Sequence, residues 1–348
     1  LIFSPKGDAD AASPFFAPVN RCLVSFFLSL IAIIMASCSP ADDATEAEWP
    51  LNEVVLQTDW FPQAEHGGFY QALAKGYYTE EGLDVTILPG GPNAMSAHKI
   101  LRGTAHFAMN RADTILSMNA KGLPFQMVMT TLLHDAQGIL VHQSSEVHKL
   151  EDLEGQTLMA VPGLMWVRWL KERYQIDFTV LPHDYSLQRF IADPDFIQQC
   201  LLTNEPFYVQ QAGVESRVIP LSSSGFDPPH GIYAMADFLQ SNPAIARAFI
   251  RASMRGWKDY MNSDPQPAFD LIKPLNPKMT QAFLEFSYGE MISRRLVTGT
   301  SPETTIGQLP VERLKALEIE LRELGLLPET ESNPEPTPWF TTAFQDQE

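Results

Sequence analysis

At 348 residues, with 45% hydrophobic and 10% aromatic content, the chain is long enough to bury a large core and to form two lobes of ordinary domain size. Its 24 Lys and Arg stand against 42 Asp and Glu, a net charge of −18 with no basic run. Such a surface repels a phosphate backbone at long range, which excludes nucleic acid as a partner.

Residues 21–38 read RCLVSFFLSLIAIIMASC, where Arg21 precedes an apolar run of about 13 residues and the small pair Ala36, Ser37 precedes Cys38. The run is shorter than the roughly 20 residues of a bilayer-spanning helix, and its small-residue end fits a protease site, so an export signal is predicted. Met-Ala-Ser-Cys resembles a bacterial lipobox. The expected mature N-terminus is therefore Cys38 carrying lipid, which places the protein in the periplasm or at the cell surface, held to a membrane. A plain cleaved signal with an incidental cysteine is the alternative. Residues 1–20 open on Leu and precede the signal, and residues 1–37 are given no part in the folded body. Cys22 leaves with the signal and Cys38 would be acylated, so Cys200 is the one thiol expected in the mature chain and no intramolecular disulfide can form.

The acidic, aperiodic residues 38–51 read as a solvated tether. From residue 52 strands and helices alternate: a strand at 54–58, a helix at 67–75 stopped by Gly76, a strand at 83–88, a helix at 94–102 after a Gly-Gly-Pro turn, a strand at 106–109 and a helix from 113. This predicts parallel α/β sheets. A strand at 138–142 and the polar stretch 143–145 lead into a second α/β series, where a crossover into a second lobe is expected. That lobe holds strands at 157–161 and 178–181 and helices at 166–174 and 185–192. A strand at 218–221 then returns through SSSGFDPPHG to 232–236 in the first lobe. Lobe one is accordingly assigned 52–137 and 226–327, and lobe two 138–225. A chain that leaves and returns makes a two-strand hinge, and ligands of such sheets bind outside the strand C-termini, in the cleft. The rest is predicted helical and packed on lobe one. Asn242-Pro243 opens a helix with Ile245, Phe249, Ala252, Gly256 and Tyr260 on one face; Pro310 opens another with Leu314, Leu317, Leu321 and Leu324, stopped at Gly325. Residues 328–348 form an acidic, Pro-rich tail expected to be loose, although Trp339 and Phe340 could dock on the body.

VVLQTDWFPQAEHGGFYQALAKGYYTEEGLDVTILPGG resembles the opening of the NMT1/THI5-like solute-binding family: a strand into Asp-Trp, a loop and helix, Lys-Gly-Tyr-Tyr, then Glu-Gly-Leu-Asp-Val. DPDFIQQCLLTNEPFYVQQAG is similar to a second family stretch, with Cys200 and Asn204 where Gly and Ser are common. The similarity covers roughly residues 52–325. It implies an α/β, two-lobed type II periplasmic-binding-protein fold with two hinge-crossing strands and C-terminal helices on lobe one. It also implies an ABC permease with its cytoplasmic ATPase as partners, and a ligand among thiamine-precursor pyrimidines, riboflavin-like compounds or alkylsulfonates such as taurine.

Residues at strand ends are the binding candidates. Asp59, Trp60 and Phe61 follow the first strand, where an indole can stack on a flat heterocycle or plug the core, and Asp59 can accept from a ring amino group or cap the turn. His66 precedes Gly67-Gly68 in a loop within reach of the cleft, and the resemblance places a His here in the family's pyrimidine-synthase branch. Asn110 and Arg111 follow the third strand; Arg111 turned inward would favour a carboxylate or sulfonate, turned outward it would be a surface ion pair. Gln137 precedes the crossing strand. Lobe two offers Trp166 at a strand-to-helix turn, Tyr185 opening the next helix, and Glu205 in Thr-Asn-Glu-Pro, whose carboxylate suits ring N–H or amino groups. Phe226 and Tyr233 on the return segment complete the expected aromatic wall.

The histidines show no ligand spacing, so no metal and no cofactor is expected. No Gly-x-Ser-x-Gly, P-loop or other catalytic signature is present, and no catalytic residue is assigned. The reading is a lipid-anchored solute-binding protein that captures a small organic molecule, with a thiamine-precursor pyrimidine or related heterocycle preferred. The alternatives are an alkylsulfonate-binding protein, a pyrimidine-synthase-like enzyme lacking its Cys-rich run, or a sensor lipoprotein on the same fold.

Overall fold

A computed structural model describes residues 51–299, 305–328 and 338–345. The expected signal, Cys38 and all of the tether but its last residue lie outside the described residues. Among the described residues no helix is long and apolar enough to cross a membrane.

The chain runs β1 (Asn52–Gln57), α1 (Gly67–Ala74), α2 (Tyr77–Glu80), β2 (Leu83–Leu88), α3 (Ser96–Leu101), β3 (Phe107–Arg111), α4 (Ala112–Ala120) and β4 (Phe125–Thr130). It continues through β5 (Gln137–His142), β6 (Thr157–Ala160), α5 (Met165–Tyr174), β7 (Thr179–Pro182), α6 (Gln188–Ala192), β8 (Ile197–Leu201), α7 (Glu205–Gln211) and β9 (Ser216–Pro220). It returns with β10 (His230–Met235), then α8 (Ala236–Ser241), α9 (Pro243–Asn262), α10 (Gln266–Leu275), α11 (Gln281–Ser293) and α12 (Val311–Glu323).

Two five-stranded sheets result, ordered β2-β1-β3-β10-β4 and β7-β6-β8-β5-β9. In the first, β1 is parallel to β2 and β3, and β10 is antiparallel to β3 and β4. In the second, β6 is parallel to β7 and β8, and β5 is antiparallel to β8 and β9. The chain therefore crosses between sheets twice, at residues 131–136 and 221–229. The crossings are tied to each other: Thr131 N donates to His230 O (2.9 Å), His230 N to Leu132 O (2.8 Å) and Asp135 N to Asp227 Oδ1 (2.7 Å). His134 and Arg313 also pair with Asp227, at 2.6 and 2.9 Å.

Several local expectations are corrected. β4 and β8 were not foreseen, because neither alternates: β4 is buried on almost every residue, and β8 carries two glutamines. The helix expected at 185–192 begins only at Gln188; His183 Nδ1 accepts Tyr185 N and Asp184 Oδ1 accepts Ser186 N, making a side-chain turn with Tyr185 at φ 59°. Asn242 does not cap α9, since its amide donates to Phe238 O instead (3.1 Å). Trp339 is buried, its Nε1 donating to Glu318 (2.7 Å), and Phe340 bridges Met127 so that the tail lines the open edge of β4.

One apolar cluster fills the space between the first sheet and α1, α9, α10 and α11, where Phe69, Phe107, Phe249, Trp257 and Tyr260 meet. A second runs from Ile115 and Tyr233 through Leu314 and Trp339 to Ile139, Leu158 and Trp169, joining residues of both sheets. The α1–α9 crossing is close because it uses glycines. A Cβ on Gly256 would stand 2.4 Å from Gly68 O and 2.5 Å from Ala72 Cβ. Gly256→Ala is expected to destabilise by about 1–3 kcal/mol through overpacking. Gly289→Ala, exposed in α11 with open space around it, should instead stabilise by about 0.5–1 kcal/mol. Urea denaturation midpoints check both, and equal signs would refute the packing argument.

Candidate functional site

A cavity of about 250 Å³ opens between the C-terminal edges of the two sheets. Lobe one reaches it with the loop after β1 and the ends of β3 and β10, lobe two with the ends of β6, β7 and β8 and the start of α7. Of the residues singled out from sequence, Asp59, Trp60, His66, Asn110, Arg111, Gln137, Tyr185 and Glu205 line this space. Four do not. Trp166, Phe226 and Tyr233 are 0%, 1% and 0% exposed. Phe226 packs on Trp169, and Tyr233 packs on Phe125 with its hydroxyl donating to Ser96. An aromatic at a strand end fills the core as readily as it faces a cleft, and here the core takes them. Phe61 is turned outward beside Trp60, edge to face at 5.6 Å.

The cavity floor is a charged network. His66 Nε2 donates to Asp59 Oδ1 at 2.9 Å, which leaves the buried Nδ1 without a partner among the described residues. Burial opposes ionisation of Asp59, but the hydrogen bond and charge of His66, with the charge of His230, hold its carboxyl below the ordinary value. His230, 8% exposed, lies 3.8 Å from Asp59 Oδ2 and 3.9 Å from Asp135 Oδ1, too far for a hydrogen bond to either. Arg111 is turned inward yet already paired: Nε donates to Asp113 Oδ1 (3.0 Å), and Nη1 stands 3.1 Å from Asp135 Oδ2, off the hydrogen-bond axis. Its charge is neutralised from inside the protein.

The upper wall is acidic and amide-rich. Glu205 accepts from Leu201 N at 2.7 Å, and burial raises its carboxyl to about 7. Glu65, 5% exposed, accepts from the Thr203 hydroxyl, and burial raises it as well. Gln199 bridges Val161 N (2.9 Å) and Gln137 Oε1 (3.1 Å). Burial, with the nearby Glu205 charge, pushes the Cys200 thiol well up, so it is held as a thiol rather than a nucleophilic thiolate. Trp60 and Tyr185 face each other from opposite lobes with ring centroids 5.3 Å apart. Glu65, Gln63, His183, Gln199 and His230 escaped sequence reasoning. His183 directly follows a strand and His230 begins one, a signal that was available; Glu65 and Gln199 reveal themselves only through partners 138 and 62 residues away.

Two α/β sheets linked by two crossings, closing on a cavity at their strand ends, define the two-lobed periplasmic-binding-protein fold. The chain belongs to the NMT1/THI5-like family, which matches residues 63–268. It is 27% identical to the riboflavin-binding protein RibY of Chloroflexus aurantiacus over 70% of this chain and 75% of that one. It is 28% identical to the formylaminopyrimidine-binding protein of Halalkalibacterium halodurans over 39% and 41%. A 4-amino-5-hydroxymethyl-2-methylpyrimidine phosphate synthase of Saccharomyces cerevisiae is 23% identical over 63% and 74%. Among solved structures, the periplasmic aliphatic sulphonate binding protein SsuA of Escherichia coli superposes with a TM-score of 0.62 at 12% identity, covering 83% of this chain and 97% of that one.

Proposed function

We propose that this protein is the solute-capturing component of an ABC importer and that it holds a planar, nitrogen-rich heterocycle of pyrimidine or flavin type in the cleft. The observation that carries the ligand class is the charge inventory of the cavity: Asp59, Glu65 and Glu205 line it, while Arg111, the one guanidinium there, is engaged by Asp113 and Asp135. Such a wall offers acceptors to ring N–H and amino groups and no free cation to a sulfonate or nitrate. Trp60 supplies a face for stacking. Relatives that bind riboflavin and formylaminopyrimidine support the same class.

In this reading the protein is exported, cleaved and lipid-anchored at Cys38, with residues 38–51 as tether. Lobe one is 52–137 plus 226–327 and lobe two 138–225. The ligand-closed form docks on the permease, and the ATPase touches only the permease.

The purified protein should be heated with aminopyrimidines, thiamine, riboflavin, taurine, alkylsulfonates and nitrate in turn. A ligand of the folded state at 100 times its dissociation constant adds about 2.7 kcal/mol. A rise in Tm with a heterocycle and none with the anions is expected; the opposite pattern refutes the ligand class, and turnover of a bound pyrimidine refutes the transport role. Trp60→Ala should weaken heterocycle binding about tenfold, about 1.4 kcal/mol, by calorimetric titration.

A further inference from the structure

We propose that Tyr185 is a gate between the cavity and an outer cleft, held shut by an unprotonated His183 and released when that imidazole takes a proton; this rests on the cavity being the solute site. The cavity of about 250 Å³ adjoins a cleft of about 900 Å³, and Trp60, His183 and Tyr185 belong to the walls of both. The Trp60–Tyr185 ring pair stands where the two spaces meet, reaching across the lobes with centroids 5.3 Å apart. Tyr185 is 51% exposed, so burial does not fix it in place.

A strained turn fixes it instead. Tyr185 holds φ 59°, a left-handed conformation that a residue with a Cβ keeps only where its surroundings impose it. Its amide donates to His183 Nδ1 at 2.9 Å, and Ser186 N donates to Asp184 Oδ1 at 2.9 Å. His183 Nε2 donates to Gln199 O at 3.4 Å, and the His183 amide to Ala160 O at 3.0 Å. The ring is thereby anchored to β8 and β6 in the tautomer whose Nδ1 carries a lone pair. A proton on Nδ1 would set two donors against each other and leave Asp184 Oδ1 to hold the turn. Burial keeps the imidazole below its ordinary 6.5, against the hydrogen bond to Gln199 O and the charge of Asp184, which both favour the proton. The accepting form is therefore complete at neutral pH and lost as pH falls through the lowered value. Cys200 of β8 and Glu205 of α7 share the cavity with His183; across it stand Asp59, Glu65 and His66, with Arg111 and His230 on the floor.

Cys200, 2% exposed, lines the cavity and not the outer cleft, so its accessibility reports on the gate. The test is alkylation of the whole protein by N-ethylmaleimide, read at the Cys200 peptide by mass spectrometry, with hydrogen exchange of the Tyr185 amide, from about pH 8 to about pH 4.5. His183→Asn is the reference at each pH: its Oδ1 replaces Nδ1 as acceptor and takes no proton, so the pH dependence of thiol and reagent cancels in the ratio. Wild type and His183→Asn are expected to agree at the alkaline end; at the acid end the wild type should exchange and alkylate about tenfold faster. Tyr185→Gly adopts φ 59° freely but lacks the ring, and should alkylate about tenfold faster than wild type at the alkaline end. His183→Ala, without the acceptor, should exchange fast at every pH. A ratio of wild type to His183→Asn that stays at one over the whole range overturns the proton switch. Tyr185→Gly that alkylates as slowly as wild type overturns the gate. Both readouts are made without added solute, so a failure of the heterocycle reading is told apart from a failure of this one.

Discussion

Arg111→Met is expected to destabilise the protein by about 3–5 kcal/mol, the cost of leaving buried charges without their partner. Arg111 is 4% exposed, and its two carboxylates, Asp113 and Asp135, are 1% and 0% exposed. Burial alone would raise Asp135; the Arg111 charge, followed by His230, holds it below the ordinary value instead. A carboxyl with a depressed folded value contributes stability that is present above its unfolded value of 3.8 and lost as pH falls through the folded one. Without Arg111 that contribution disappears at neutral pH. Arg111→Lys should recover only part of the loss, because one ammonium cannot reproduce the guanidinium fork that meets both acids. Arg111→Met/Asp135→Asn should recover more than either carboxylate left charged allows. Urea denaturation at pH 7 measures all three, and a loss below about 1 kcal/mol for Arg111→Met would show that the pair is screened as a surface bridge is. The same pairing bears on the proposed ligand class: the guanidinium joins the end of β3 to the first crossing segment, and the proposal takes its charge to be engaged there.

What the sequence made legible was local. The β1–α1–β2 opening could be read because its strand, glycine-opened helix and second strand follow within one short stretch, and α9 and α12 because their apolar stripes repeat at helical spacing. β4 and β8 could not. Phe125–Thr130 is buried on both faces, so no alternation marks it, and Gln198 and Gln199 look like solvent residues until the neighbouring strands bury them. The cavity divides in the same way. Asp59, Trp60, His66 and Glu205 sit at element ends that the topology sends toward the cleft. Glu65 matters because the Thr203 hydroxyl reaches it from the other side of the hinge, and Asp227 because it ties both crossings to Arg313. No window of sequence holds both members of those pairs. Trp166, Phe226 and Tyr233 show the converse error: residue type and position in the chain allowed a cleft role, and only the direction of the side chain decides between cleft and core.

Glu205→Gln is expected to stabilise the ligand-free protein at pH 8 and to be neutral near pH 4. The carboxyl is raised from 4.5 to about 7, first by burial, and the charge of Glu65 adds to the effect. The folded state therefore binds the proton more tightly than the unfolded one. Its favourable contribution is complete below 4.5 and is lost as pH rises through about 7. At about 1.4 kcal/mol per unit, the ionised group costs up to about 3 kcal/mol above pH 8, and solvent screening of this partly covered side chain brings the figure below that ceiling. Glutamine keeps an oxygen for Leu201 N and carries no charge, so the variant isolates the ionisation from the hydrogen bond. Urea titrations between pH 4 and 9 should show two curves that coincide in acid, part as pH rises from about 4.5 to about 7 and run parallel above that, with the variant the more stable. A separation that does not change anywhere between pH 4 and 9 would mean that Glu205 ionises freely. A solute with ring amino or protonated nitrogen groups pairs with the ionised form, so its affinity for the wild-type protein should strengthen as pH passes 7, and that dependence should vanish in the variant. A site strained at neutral pH when empty and relieved when filled draws binding energy from the same carboxylate that destabilises the open cleft.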